Sequence, residues 1–145
     1  VIETSIGVDR MVLQVLSAGY QEEKLENGEE RTVLSIPAPL APVKAAVLPL
    51  VKKDGLPEIA HRIKNTLRYD YNIQYDEKDS IGKRYRRQDA IGTPLCITID
   101  HQSAEDGTVT VRDRDTMRQE RVHIEAIPAL VESKAGMRAL LDKLA

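Results

Sequence analysis

An α/β fold with helices packed on a mixed sheet is what this sequence predicts, and three features predict it. Two runs, VKAAVLPL at 43–50 and PLCITID at 94–100, are continuously apolar, as strands covered on both faces are. Between them the apolar residues change to a helical period, most cleanly at Leu56, Ile59, Ala60, Ile63 and Leu67. After PLCITID, the segment TVTVRD alternates polar and apolar, as the second strand of an antiparallel hairpin does. Strand–helix alternation early and a hairpin late imply a sheet that is parallel in one part and antiparallel in another.

In chain order, Val8, Met11, Val12, Val15 and Leu16 recur at helical spacing, and Gly19 stands where a C-terminal cap is wanted. The charged stretch QEEKLENGEERT reads as a solvated loop or linker and as the best domain boundary. TVLSI at 32–36 is short and β-prone, and PAPLAP after it reads as an extended connector. The apolar strand at 43–50 leads to the helix around Leu56–Leu67, with Pro57 in its first turn. YNIQYD is a short run before DSIGKRYRRQDAIG, which predicts a helix starting near Asp79 or Ser80 and stopping at Gly92. Beyond PLCITID a loop holding Asp106-Gly107 joins the two hairpin strands, and residues 127–144 read as helix with a break near Gly136. There is no internal repeat; SIG at Ser5 and at Ser80 is a chance echo.

At 145 residues, 41% hydrophobic and 30% charged, the chain suits one soluble domain with its own core. No apolar run approaches the roughly 18 residues of a membrane span. The chain lacks both a leader pattern and an initiator Met, which reads as a cut or processed polypeptide. Cys96, alone and inside LCITI, has no internal disulfide partner and reads as a buried thiol in a reducing compartment. His61, His101 and His123 lie too far apart for metal-ligand spacing, so no metal is assigned. The net charge of −2 excludes a uniformly basic nucleic-acid binder but not a patch.

Two patches stand out. In KRYRR, a helix spreads Lys83, Arg84, Arg86 and Arg87 over an arc of about 160°, with Ile81 and Tyr85 on the other side. Such a strip suits a phosphate backbone; a solvated face paired with Asp79, Asp89 and the acidic loops is the alternative. In VRDRDTMRQER, a strand continued through Arg114 puts Arg112 and Arg114 on one face and Asp113 and Asp115 on the other, with Arg118 and Arg121 following. Guanidinium forks of this kind can read unstacked bases, with a surface ion-pair network as the alternative. With no Trp, no Phe and Tyr only at 20, 69, 71, 75 and 85, stacking contributes little, and recognition rests on hydrogen bonds and charge.

ETSIGVDR at 3–10 resembles motif 3 of a class II aminoacyl-tRNA synthetase in its glycyl version, a Glu-x-Ser-x-Gly turn running into an arginine-bearing helix. SIPAPLAPVKAAVLPL, DSIGKRYRRQDAIGTPLCITID and TVTVRDRDTMRQERV resemble, in order, blocks of the anticodon-binding domain of the homodimeric glycyl-tRNA synthetases. One G-x-D-R carries little specificity, whereas four blocks in order across nearly the whole chain carry much.

The resemblance implies a mixed five-stranded sheet flanked by three helices, preceded by one helix of the catalytic domain: 1–30 as the end of that domain plus linker, 31–145 as the anticodon-binding domain. It implies a glycine site at Glu3, Thr4, Ser5, Ile6 and Gly7, with Glu3 facing the substrate ammonium. It also implies an ATP site at Gly7, Val8, Asp9 and Arg10, with Arg10 the catalytic arginine on the terminal phosphates. Thr4 departs from the proline frequent in the family. Lys83, Arg84, Arg86, Arg87, Arg112, Arg114 and Arg118 are the expected tRNA contacts. ATP and Mg²⁺ serve the whole enzyme, whose motif 2 and metal-binding acids are not in this sequence, so the chain alone is expected to be inactive. The whole enzyme is expected to be a cytoplasmic homodimer that ligates glycine to its tRNA, and this piece a monomer away from membranes. A free-standing anticodon-binding-like module, an accessory subunit or paralogue, is the other reading, and the active-site residues of ETSIGVDR speak against it.

Overall fold

The computed structural model describes residues 2, 4–25 and 28–142. A helix, α1 (Val8–Gly19), leads into a two-stranded antiparallel hairpin, β1 (Tyr20–Lys24) and β2 (Glu30–Leu34). The rest of the chain builds a mixed sheet from β3 (Ala45–Pro49), β4 (Ile73–Tyr75), β5 (Leu95–Ile99), β6 (Thr108–Asp113) and β7 (Gln119–His123). Its strand order is β4-β3-β5-β6-β7, with β4, β3 and β5 parallel and the β5–β6 and β6–β7 pairs antiparallel. The helices are α2 (Leu56–Leu67), α3 (Ile81–Ala90), α4 (His101–Asp106), α5 (Ile127–Ala135) and α6 (Met137–Leu141). The sheet is mixed, as the hydrophobic pattern predicts, and five-stranded, as the resemblance implies.

The order of the parallel strands explains how α3 is placed. From β3 the chain steps to β4 on one side, then returns across β3 to β5 on the other. With right-handed crossovers, the two connecting helices must then lie on opposite faces. The core divides accordingly. Val47, Ile97, Val109 and Val111 pack with Leu56, Ala60 and Ile63 of α2 and with Ile127 and Val131 of α5. On the other face Ala46, Leu48 and Cys96 pack with Ile81 and Tyr85 of α3. Because β3 and β5 are buried along their whole length, they read as unbroken apolar runs.

The structure corrects the local reading in four places. The predicted loop at 21–32 is the β1–β2 hairpin, in register from Tyr20 opposite Leu34 to Lys24 opposite Glu30, and the division drawn after residue 30 falls one residue into β2. Between β5 and β6 lies α4 rather than a plain loop. A reciprocal cap starts it, in which Asp100 Oδ1 accepts from Ser103 N at 3.0 Å and Ser103 Oγ accepts from Asp100 N at 3.1 Å. Gly107 then ends it at φ 68°, a left-handed position that favours glycine. Residues 119–123, given no element from the sequence, form the edge strand β7. The connector at 37–42 is not extended throughout, since Ala38–Leu40 make a 3₁₀ turn. The C-terminal helix breaks at Gly136 into α5 and α6 as expected; its continuation to 144 lies beyond the described residues.

Candidate nucleic-acid interface

On α3 the 3.6-residue period puts Ile81, Arg84, Tyr85, Gln88 and Asp89 against the sheet and Lys83, Arg86 and Arg87 toward its rim. Arg84 therefore does not belong to a cationic strip. It is buried, its Nη1 donating to Pro49 O at 2.5 Å and its Nη2 and Nε to Asp79 O at 2.8 and 3.0 Å. It satisfies carbonyls at the end of β3 and before α3. Arg87 is half exposed and spans Asp76 and Asp79, at 2.7 and 2.9 Å. Hydrogen bonds to these two carboxylates hold its pKa above the ordinary guanidinium value. Arg86 donates to Glu30 O at 2.7 Å and pairs with the Glu29 carboxylate. Lys83 is exposed, and its side chain has no ion pair or hydrogen bond among the described residues.

The second predicted cluster is also rearranged. Arg112 and Arg114 do share a side of the chain, but that side is the interior: they are 6% and 2% exposed. Arg112 makes a bidentate pair with Asp89, at 2.8 and 3.0 Å, and lies over the Tyr85 ring at 4.8 Å. Arg114 donates to Gly92 O and Ile36 O, each at 2.8 Å, and to Asp115 Oδ1 at 2.7 Å. Guanidiniums engaged this way hold secondary structures together and offer no fork to a base. Arg121 is likewise occupied, pairing with Asp100 at 2.7 Å, and this pair, ahead of the Ser103 cap, lowers the Asp100 carboxyl to about 2. Arg118 alone in this cluster keeps an exposed side chain without a partner among the described residues.

Arg118 does not share a surface with α3. It lines a cleft of about 360 Å³ on the α5 face with Thr116, Glu120, Leu130 and Lys134. Lys134 also borders a second cleft, of about 380 Å³, walled by Ser35–Pro39, Arg114, Asp115 and Leu140. Its Nζ lies 2.5 Å from Asp113 Oδ2, and Ser35 Oγ donates to Asp115 Oδ1 at 3.0 Å. Sequence reading missed Ser35, Asp115 and Lys134 as cleft residues. The available signal was PAPLAP, whose prolines hold the backbone open beside a strand end.

Of the residues resembling motif 3, Glu3 lies outside the described residues. Thr4, Ser5 and Ile6 are exposed and lead to Gly7, the residue that opens α1; Val8, Asp9 and Arg10 follow, also exposed, in its first turn. None of them borders the two clefts described above. The apolar face of α1 is uncovered as well, with Val8, Met11, Val12 and Leu13 each at least half exposed. Among the described residues this leaves a short basic rim on α3, an exposed arginine at the β6–β7 turn whose side chain has no partner, and an apolar face of α1 open to solvent.

Residues 44–134 match a family model described as an anticodon binding domain. Among curated proteins, the glycine–tRNA ligase of Geobacillus kaustophilus is 55% identical over 133 residues, covering 92% of this chain and 28% of that protein. Those of Borrelia hermsii and Rhodopirellula baltica are 50% and 51% identical, again over 92% of this chain. The chain thus spans 30% and 26% of those two relatives' lengths. Among solved structures, the RNA binding domain of threonyl-tRNA synthetase from Cryptosporidium parvum Iowa II superposes with a TM-score of 0.62 at 25% identity, over 69% of this chain and 25% of that one. Prolyl-tRNA synthetase from Cryptosporidium parvum shares the fold, with a TM-score of 0.64 at 19% identity over 83% of this chain and 32% of that one.

Proposed function

The chain belongs to the anticodon-binding domain family, and from that membership we propose that it is the tRNA-recognising part of a cytoplasmic glycine–tRNA ligase. The observation that carries the proposal is identity of 50% or more to several such ligases across nine-tenths of the chain. Within it, RNA phosphates meet the α3 rim. Lys83 has no side-chain partner among the described residues, and Arg86 exchanges the exposed Glu29 carboxylate for phosphate at low cost, since exposed ion pairs contribute only ~0–1 kcal/mol, while Arg87 can turn from the exposed Asp79 and keep Asp76, which is 14% exposed. Arg118 and the neighbouring cleft are the place for base contacts, because a fork in a groove can meet the edge of an unstacked base. Arg84, Arg112 and Arg114 support these surfaces from beneath.

In the whole enzyme α1 and the turn before it belong to the catalytic part, with Glu3 to Gly7 at the glycine and Gly7 to Arg10 at the ATP. A carboxylate suits the ammonium of glycine and a guanidinium suits phosphate oxygens. Mg²⁺ would shield those phosphates when bound. Among the described residues, however, no group of three or more His, Cys, Asp or Glu could hold a metal ion, so the ligands for it are not assigned to this chain. Homodimerisation belongs to the same whole-enzyme reading. The test is binding of the chain to a glycine tRNA transcript and to the same transcript with its anticodon exchanged. Preference for the native anticodon is expected, with affinity falling as salt rises; equal, salt-independent binding would overturn the proposal.

A further inference from the structure

A linker between two folded units buries little of itself, whereas one face of β2 is buried in the fold. Arg31, in the middle of β2, is 2% exposed, and Val33 is 1% exposed. From the hairpin, the Arg31 Nε approaches Asp89 Oδ2 at 3.1 Å, while Arg112 of β6 holds both Asp89 oxygens from the opposite side. Glu23, paired with Arg31 in the hairpin register, adds the second carboxylate at 3.2 Å from Nη1. Arg31 Nη2 donates to Arg114 O at 2.5 Å. Two cations and two anions thus meet, with Arg31, Asp89 and Arg112 buried and the Glu23 carboxylate, 38% exposed, at the edge of the cluster.

We infer that Arg31, Asp89 and Arg112 form a buried clamp that fastens the hairpin to α3, so that the hairpin and the last turn of α1 move as one body with the anticodon-binding fold. Close backbone approaches frame the clamp. A Cβ on Gly19 would stand 2.6 Å from Ile36 Cγ2, and one on Gly92 2.9 Å from Leu34 O. Ser35 N donates to Gly19 O at 2.6 Å, and Arg86 closes the rim on Glu30 O. Through this clamp the basic rim of α3 is held at a fixed position relative to α1.

Amide hydrogen exchange of the whole chain, without RNA, tests it. Arg31→Met keeps much of the volume and leaves the Asp89–Arg112 pair intact. Amides of β1 and β2 should lose protection roughly a hundredfold, because a buried charge contact is broken locally, while β3 and β5 keep theirs. Arg31→Lys, which retains the charge but reaches fewer partners, should show a smaller loss confined to the same strands, and it decides the matter if the Met variant does not fold. Unchanged hairpin protection, or an equal loss in β3 and β5, would overturn the clamp. Neither outcome bears on the tRNA reading.

Discussion

Replacing Asp89 by Asn tests the buried charge cluster most directly, because the change keeps the side-chain volume and removes one charge. Asp89 is fully buried and accepts from Arg112 at both oxygens, with Arg31 3.1 Å from Oδ2. Asparagine turns one of those acceptors into a donor aimed at a guanidinium and leaves two buried cations short of a counter-charge. Breaking a buried pair from one side costs about 3–5 kcal/mol. For 145 residues the entropy of unfolding at the midpoint is about 0.3 kcal/mol/K, so Tm should fall by about 10–16 °C. Differential scanning calorimetry of the chain, with guanidinium unfolding as a second measure, reads the difference. Arg87→Ala is the control: from the same helix it removes ion pairs to Asp76 and Asp79, but at a guanidinium 42% exposed rather than buried, and should cost less than the Asp89 change, about 1–2 kcal/mol. A Tm loss below about 3 °C for Asp89→Asn would refute the reasoning, because the cluster would then be dispensable.

Asp100 gives a pH signature. Its carboxyl, at about 2 when folded against an ordinary 3.8, contributes stability that is present above about pH 4 and is lost as pH falls toward 2. The contribution is at most about 2 kcal/mol, and urea unfolding of Asp100→Asn should show a flatter acid limb than wild type. Burial pushes the Cys96 thiol up to about 12, so iodoacetamide at pH 8 should label it only as fast as the chain unfolds; rapid labelling of the native chain would contradict its place in the core. Changing Lys83, Arg86 and Arg87 together to Ala should reduce the slope of log K against log salt for tRNA by about two to three, while Arg84→Ala should lower Tm instead, since Arg84 is buried on carbonyls. An unaltered slope would leave the α3 rim as an ordinary solvated surface.

What was legible in the sequence was whatever hydrophobic periodicity encodes. β3 and β5 are apolar at every position because both of their faces are covered, and α2 shows Leu56, Ala60, Ile63 and Leu67 on one stripe because only that stripe meets the sheet. β1 carried no such signal. Tyr-Gln-Glu-Glu-Lys has a solvated surface on nearly every residue, and it is a strand only because β2 pairs with it. α4 is six residues long, too short for periodicity to show, and its start is fixed by the Asp100–Ser103 cap rather than by apolar spacing.

The arginines show why charge is harder to read than apolarity. An apolar residue on a core-facing position is self-consistent, whereas an arginine there is stable only if an acid far away in sequence arrives to meet it. Arg84 sits at the edge of the arc that the helical period assigns to the cationic strip, and it is the carbonyls of Pro49 and Asp79 that draw it inward. Arg112 stands two residues from Thr110, on the strand face turned toward α3, and Asp89 sits eight residues after Ile81 on the α3 face turned toward the strand. The complementary charge was therefore written at matching positions of two segments 23 residues apart. Only the mixed strand order, which returns α3 across the face of β3 and β5, brings them together. An arginine-rich segment in an α/β chain is thus first a question about which acids the topology delivers to it. In these two segments the cations left over, Lys83 and Arg118, are the ones whose side chains meet neither an acid nor a carbonyl among the described residues.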